Sequence, residues 1–300
     1  MVCTTLKAGK YLVSNLSKFN KLFEGEIEIA TLPDIFYQLQ DVVDNPCSTF
    51  NDIGNVIRTD TNLTARLLSI ANTPYYAPSS KIETISHALT ILGLNEIKDL
   101  AFSTLLVERF KGMSNKVISM RAFWEHSLCC AFASREISDQ VNQSQSIDEK
   151  IFISGLLHNA GLLFLCLKIP EKVEEVVKHC IETKMPLNDA EWIVLGFDHS
   201  LVGERLLQTW GLPLLYQKIA RYHHQPTRAN HFKLEISIIH LADHYTKSYC
   251  VGSTIEPLPP VLDQNSLKIT GLTHQQLDDL FKNQIIPKFK SSSGAFLQAA

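Results

Sequence analysis

The sequence predicts an all-α fold. Three observations carry that expectation: apolar residues recur at three- and four-residue intervals in segment after segment, two-residue alternation and hairpin turns do not persist, and the breaks fall at Pro, Gly and Asn. With 300 residues, 45% hydrophobic and 20% charged, the chain has room for one large or two medium globular domains.

Taken in order, residues 1–25 read as a helical lead-in running into the charged turn Glu24-Gly25-Glu26. After Leu32-Pro33, the residues Ile35, Phe36, Leu39, Val42 and Val43 share one helical face, and Asn45-Pro46 stops the helix. Ser48 is placed to cap a second helix with Phe50, Ile53, Val56 and Ile57 inward. A third carries Leu63, Leu67, Leu68 and Ala71 and breaks at Thr73-Pro74. Pro74, Tyr75 and Tyr76 then form an aromatic loop, a candidate contact for a partner. Ile85, Ala88, Leu89 and Leu92 run to the terminator Gly93, and Asn95 is placed to cap a fifth helix through Ile97, Leu100, Ala101 and Leu105.

A basic, polar linker, Lys111 to Lys116, leads to a helix from about Arg121 that carries Trp124, His126 and Leu128. A polar, mobile loop is expected at Asp139 to Ser146. The most apolar run follows, Ile151 to Leu167, with His158 and Asn159 in its middle. It is too short, and too interrupted by Ser154, Gly155, Gly161 and the His-Asn pair, for a membrane span of about 20 apolar residues, and reads as the central helix of the core. Beyond Pro170 comes an amphipathic helix with Val173, Val176 and Val177, then a capping box of Asn188 with Glu191. Trp192, like Trp124 and Trp210, falls at a helical apolar position and is expected in the core. Helices from His199 to Trp210 and from Pro213 to Tyr222 lead to His223-His224-Gln225-Pro226, and a last strongly apolar helix, Leu234 to Tyr245, carries His240 and Asp243. Past it the chain reads as Pro-rich and extended, with a short helix at Leu277 to Phe281 and a fraying tail. The boundaries are 1–25 for the lead-in, 26–115 and 116–248 for two helical subdomains, and 249–300 for a C-terminal extension.

The net charge of -3 and the absence of a Lys/Arg run exclude nucleic acid as a first partner. The N-terminus lacks the uninterrupted apolar segment of a secretory signal, so a cytoplasmic location is expected. Seven cysteines, an odd number without CxxC spacing, point to reduced thiols. Cys129 and Cys130 project about 100 degrees apart on a helix near His126 and read as small buried hydrophobes, not nucleophiles.

Five segments of the second half set His or Asp in or beside apolar helices: His126, His158-Asn159, His199, His223-His224 and Asp243. Imidazoles and a carboxylate from different helices can converge on one cavity, as a multi-helix metal site requires. Here the sequence resembles the HD superfamily, and most closely its HDOD branch, the HD-related output domain, over roughly residues 26–245. The stretches LPDIFYQLQDVVDNP, IRTDTNLTARLLSIANTPYY and ISHALTILGLNEIKDL carry the resemblance in the first half. FWEHS, LLHNAG, FDHSLVGERLLQTWGLP and YHHQP carry it in the second.

The resemblance implies that His126 matches the first histidine of an HD site, His158 the histidine of the doublet and Asp243 the late aspartate. His199, His223 and His224 match the additional histidines of HD-GYP cyclic-di-GMP phosphodiesterases. Asn159 stands in place of the doublet aspartate, Leu162 in place of a lysine, and Gln225 in place of the glutamate of HHE. A neutral amide cannot bridge two metals or raise the basicity of a bound water, and loss of the lysine removes a cation placed for phosphate. The pair His158-Asn159 is therefore expected to persist as a hydrogen-bonded polar knot in the vestige of an HD site. Resemblance to HDOD proteins implies a non-catalytic bacterial signalling module with protein partners, and no membrane insertion is expected. No cofactor is expected, and a residual divalent metal, if held, falls to His126, His158 and Asp243. The alternatives are a metal-dependent phosphohydrolase or cyclic-dinucleotide phosphodiesterase with one metal, and a nucleotide sensor without hydrolysis.

Overall fold

The computed structural model of the chain describes residues 16–24, 32–74, 76–110, 116–141, 150–249, 251–252, 255–256 and 259–297. Most of the lead-in, the linker at 111–115, the loop at 142–146 and Tyr75 lie outside these residues. Among the described residues every regular element is a helix, as the apolar periodicity requires.

A helical stretch at 16–21 (α1) comes first, and its Phe19 and Phe23 pack on Phe197 and Phe164 of the second half, at ring separations of 5.6 and 5.1 Å. The five expected helices of the first half follow: α2 (Asp34–Asp44), α3 (Phe50–Arg58), α4 (Thr61–Ala71), α5 (Ile85–Leu92) and α6 (Leu94–Arg109). Two caps differ from expectation. Thr49, not Ser48, caps α3 in a capping box with Asp52, which puts Phe50 in the first turn and leaves it 55% exposed. Gly93, at a φ of 83°, both ends α5 and starts α6, so Asn95 lies inside the helix. In the aromatic loop Pro74 is exposed, but the Tyr76 hydroxyl is bonded to Glu96 of α6 and its ring is partly buried.

The second half contains α7 (Met120–Val141), α8 (Ile151–Leu157), α9 (Ala160–Lys168), α10 (Pro170–Thr183), α11 (Leu187–Val194), α12 (His199–Thr209), α13 (Leu214–Tyr222) and α14 (Lys233–Ser248). The central apolar run is thus two helices broken at His158-Asn159, and Asn159 leaves the helical region at φ -101°, ψ 15°. Of the stretch Ile151–Lys168, 89% is buried inside the fold. Polarity placed two expectations wrongly. Residues 139–141 continue α7, and Trp192 is 45% exposed, its indole N–H donating to Asp198 at 2.8 Å.

Beyond α14 the extension forms α15 (Gln264–Thr270), α16 (His274–Leu280), a π-helical turn (Phe281–Ile285) and α17 (Ile286–Leu297). The expected short helix is present, but the tail does not fray as far as Leu297. Phe296 and Leu297 are 4% and 3% exposed, and Phe296 meets Phe132 of α7 edge-on at 5.4 Å. Because α17 also packs on α4, it ties the two halves together, and their buried apolar residues form one contiguous core.

Two contacts hold the seam and the site. Arg135 of α7 reaches α6, donating to Glu96 at 2.6 Å and Asp99 at 2.5 Å, with its guanidinium 4.3 Å over the Phe152 ring. At Gly161, α9 crosses α12 so closely that an added Cβ would lie 2.0 Å from the His199 carbonyl oxygen and 2.4 Å from the Gly203 nitrogen. That crossing places the start of α12 against the break at Asn159. Arg135→Met leaves two carboxylates uncompensated in the interior and should lower stability by about 3–5 kcal/mol in denaturant unfolding. A loss below about 1 kcal/mol would mean that water reaches them. Gly161→Ala should destabilise by about 3 kcal/mol, because backbone cannot yield as a side chain can, and a variant as stable as the parent contradicts the close crossing.

Candidate functional site

Five structural units converge on one buried polar cluster. α7 contributes His126, the break between α8 and α9 contributes His158 and Asn159, the start of α12 and the end of α13 contribute His199, His223 and His224, and α14 contributes Asp243. The rings form a continuous series. His126 to His158 is 5.6 Å between centroids, His158 to His223 is 5.2 Å, His223 to His199 is 5.6 Å and His223 to His224 is 4.0 Å. All five segments expected to supply the site are therefore brought together. The aromatic loop at Pro74 and Tyr76 is not part of it.

Asp243 is fully buried, and His126 Nε2–H donates to its Oδ1 at 3.0 Å. Burial alone would push this carboxyl up, but hydrogen bonding from His126 and the nearness of His158 hold it well below the usual range. His158 donates from Nδ1 to the Gly155 carbonyl at 2.6 Å, which fixes the proton on Nδ1 because a carbonyl only accepts. His158 Nε2 then lies 3.7 Å from Asp243 Oδ1, beyond hydrogen-bonding distance, and has no hydrogen-bond partner. His223 repeats the device: Nδ1–H donates to the Ala220 carbonyl at 2.9 Å, and Nε2 is buried without a partner. Burial and His224 keep His223 well below its ordinary value, so this Nε2 presents a lone pair.

The expected polar knot at His158-Asn159 is only half present. His158 is bonded to backbone, but both amide atoms of Asn159, at 0% exposure, lack hydrogen-bond partners. Asn159 sits at the helix break, where φ -101° and ψ 15° take its backbone out of the helical region, and its amide makes no hydrogen bond there.

At the other end, the buried Glu191 carboxylate accepts from both Nδ1–H and the backbone N–H of His199, at 2.7 and 2.8 Å. Burial opposes charge on His199, yet Glu191 overrides it and lifts its pKa to about 9. His199 Nε2–H therefore donates to His224 Nε2 at 2.9 Å. His224 is held well below its ordinary value by burial and by His199. Glu191 was expected in a capping box with Asn188. α11 instead starts after Pro186 without a side-chain cap, and Glu191 turns inward.

Three groups in and around the cluster were not read as site residues. Glu191 was hidden by the cap-like spacing. His240, one turn before Asp243, donates from Nδ1 to the His223 carbonyl at 2.7 Å and accepts the Asp263 N–H on Nε2 at 2.8 Å, fixing the end of α13. Cys130 lies one turn after His126 with its sulfur 3.5 Å from His126 Nε2. The i, i+4 spacing could have found it. Burial and Asp243 push its thiol well above the ordinary range and burial raises Cys129 to about 12, so neither is a thiolate nucleophile.

The donors of His126, Cys130, His158 and Asp243 lie within 4.8 Å of one another, as do those of His199, His223 and His224. The partnerless His158 Nε2 and Asp243 Oδ2 are what one divalent ion would take up, so the first group fits a single cation. Where the resemblance places a metal-bridging carboxylate, Asn159 offers a neutral amide.

The chain matches the HDOD domain family over residues 29–226. An uncharacterized protein of Treponema pallidum (strain Nichols) is 24% identical over 217 residues, 72% of this chain and 42% of that protein, so the chain spans less than half the length of this relative. In fold it is similar to an HDOD domain protein of unknown function from Geobacter sulfurreducens, with a TM-score of 0.83 and 21% identity over 95% of this chain and 99% of the other. A Marinobacter aquaeolei VT8 protein with the provisional name signal transduction protein gives a TM-score of 0.75 at 18% identity, over 97% of this chain and 65% of its own. At these identities the structural likenesses speak to the fold.

Asn159→Asp puts a charge where an amide already lacks partners. It should lower stability by about 3 kcal/mol or more in EDTA and regain most of that loss in manganese. Melting curves unaffected by both the substitution and the metal would contradict the burial described for this position.

Proposed function

Since the chain belongs to the HDOD family, we propose that it is a bacterial, cytoplasmic signal-transduction module without catalytic turnover, acting through contacts with other proteins. One observation carries the reading: Asn159 stands where the resemblance places a metal-bridging carboxylate. Leu162, where it places a lysine, is a core side chain at 0% exposure. Burial supports it further. His126, His158, His223 and Asp243 are at most 1% exposed, so a phosphodiester would have to part the core to reach them. The proposal requires no cofactor. For protein contacts, the exposed Trp192 and Ile193 of α11, at 45% and 59%, supply apolar surface beside the site.

A specific observation favours a second reading, a one-metal phosphohydrolase. The partnerless His158 Nε2 and Asp243 Oδ2, with His126, would hold one divalent ion, which when bound would polarise a phosphate oxygen. Metal analysis of protein purified without chelator, with a phosphodiesterase assay in added manganese, separates the two. The proposal expects substoichiometric metal and no turnover, and stoichiometric metal with turnover would replace it with the second reading. Affinity capture from the source cell should retain a partner on the parent chain and lose it on Trp192→Ala/Ile193→Asp.

A further inference from the structure

Cys130 is the one member of the four-residue group with His126, His158 and Asp243 that the family resemblance does not supply. It stands four residues after His126 on α7, so the two share a helix face, and both are fully buried. Cys129 is equally buried but projects about 100 degrees around the helix, where its sulfur lies 3.8 Å from the Thr246 hydroxyl. Among the described cysteines only Cys130 belongs to such a group.

The contacts leave the group with more acceptors than protons. His126 Nε2–H faces Asp243 Oδ1 at 3.0 Å and the Cys130 sulfur at 3.5 Å, and its single proton serves the carboxylate. The thiol hydrogen cannot bond to that nitrogen, which carries a proton of its own. His158 Nε2 and Asp243 Oδ2 have no partner, and neither has His126 Nδ1. The spacing matches coordination. Donors about 2.0–2.3 Å from a tetrahedral ion stand about 3.3–3.6 Å from one another. Here His126 to Asp243 is 3.0 Å, His126 to Cys130 is 3.5 Å and His158 to Asp243 is 3.7 Å, and all four donors lie within 4.8 Å.

We propose that Cys130 is the fourth protein ligand of a closed, structural zinc site, completing the set His126, His158 and Asp243. On loading, the thiol gives its proton to solvent and its sulfur lone pair to the ion, while His126 moves its proton from Nε2 to the partnerless Nδ1. A thiolate among imidazoles favours zinc over manganese, which prefers oxygen donors. Four protein ligands leave no open position for a water or a phosphate oxygen, which agrees with a chain that does not turn over phosphodiesters. The inference goes beyond the proposed function, which requires no ion, and is tested separately from it. Loading has to displace a proton from a buried thiol, so occupancy follows the zinc supplied, and the low metal content expected of the protein as purified stands.

Cobalt(II) is the probe, added at saturation to the full chain after EDTA treatment and removal of the chelator, under reducing and oxygen-free conditions. The parent chain should bind it with a thiolate-to-cobalt charge-transfer band in the near ultraviolet, and added zinc should abolish that band. Cys130→Ser should lose the band and bind zinc at least about tenfold more weakly, since even the outer partners of a metal ligand are worth that much. Cys129→Ser, the same change one residue away, should keep both the band and the affinity. A parent chain that takes up no cobalt, a band that survives in Cys130→Ser, or zinc affinity equal in Cys130→Ser and the parent overturns the proposal. If Cys130→Ser does not fold, Cys130→Ala, which buries no hydroxyl, takes its place: loss of the band supports the proposal and its survival overturns it.

Discussion

A carboxylate taken out of water inside a helical core must be met by donors, and Asp243 is where this fold satisfies that demand. His126 from α7 donates to it, and His158 from the break between α8 and α9 stands beside it. Three elements distant in sequence are thereby held to one point. From there the polar series continues through His223 to His199, whose charge is matched by Glu191. Other buried charges are paired: Arg135 with Glu96 and Asp99, His199 with Glu191, Lys247 with Glu256.

Backbone carbonyls orient the rings. Gly155 and Ala220 each accept from a histidine three residues on, so His158 and His223 both carry their proton on Nδ1 and turn Nε2 inward. This is the preorganisation that a metal ligand needs, and it stands beside the neutral amide of Asn159. The close crossing at Gly161 sets α12, and with it His199, against the break. Packing and site are therefore coupled: the short contact that lets the helices cross also fixes the distance between the histidine pairs.

Much of this was legible in the sequence because its signals are local. The five N-terminal helices follow from apolar spacing, and the order His126, His158, His199, His223, His224, Asp243 follows from placing polar residues on apolar helices. What depended on tertiary partners was not legible. Glu191 reads as a cap until His199 is folded onto it, and Trp192 reads as core until Asp198 takes its indole N–H. The last residues of α17 look like a tail because the partner that buries Phe296, the ring of Phe132, is more than 150 residues away. The break at Asn159 was hidden by the continuity of the apolar run, and with it the fact that the amide finds no partner.

Asn159 is also where structure and function meet, because on the proposed reading its neutral amide separates this cluster from one built for a bridged pair of metals. Anomalous scattering from crystals grown in manganese tests that distinction directly. The account predicts no pair of ions in the cluster. Two peaks about 3.5–4 Å apart flanking Asn159 would contradict it.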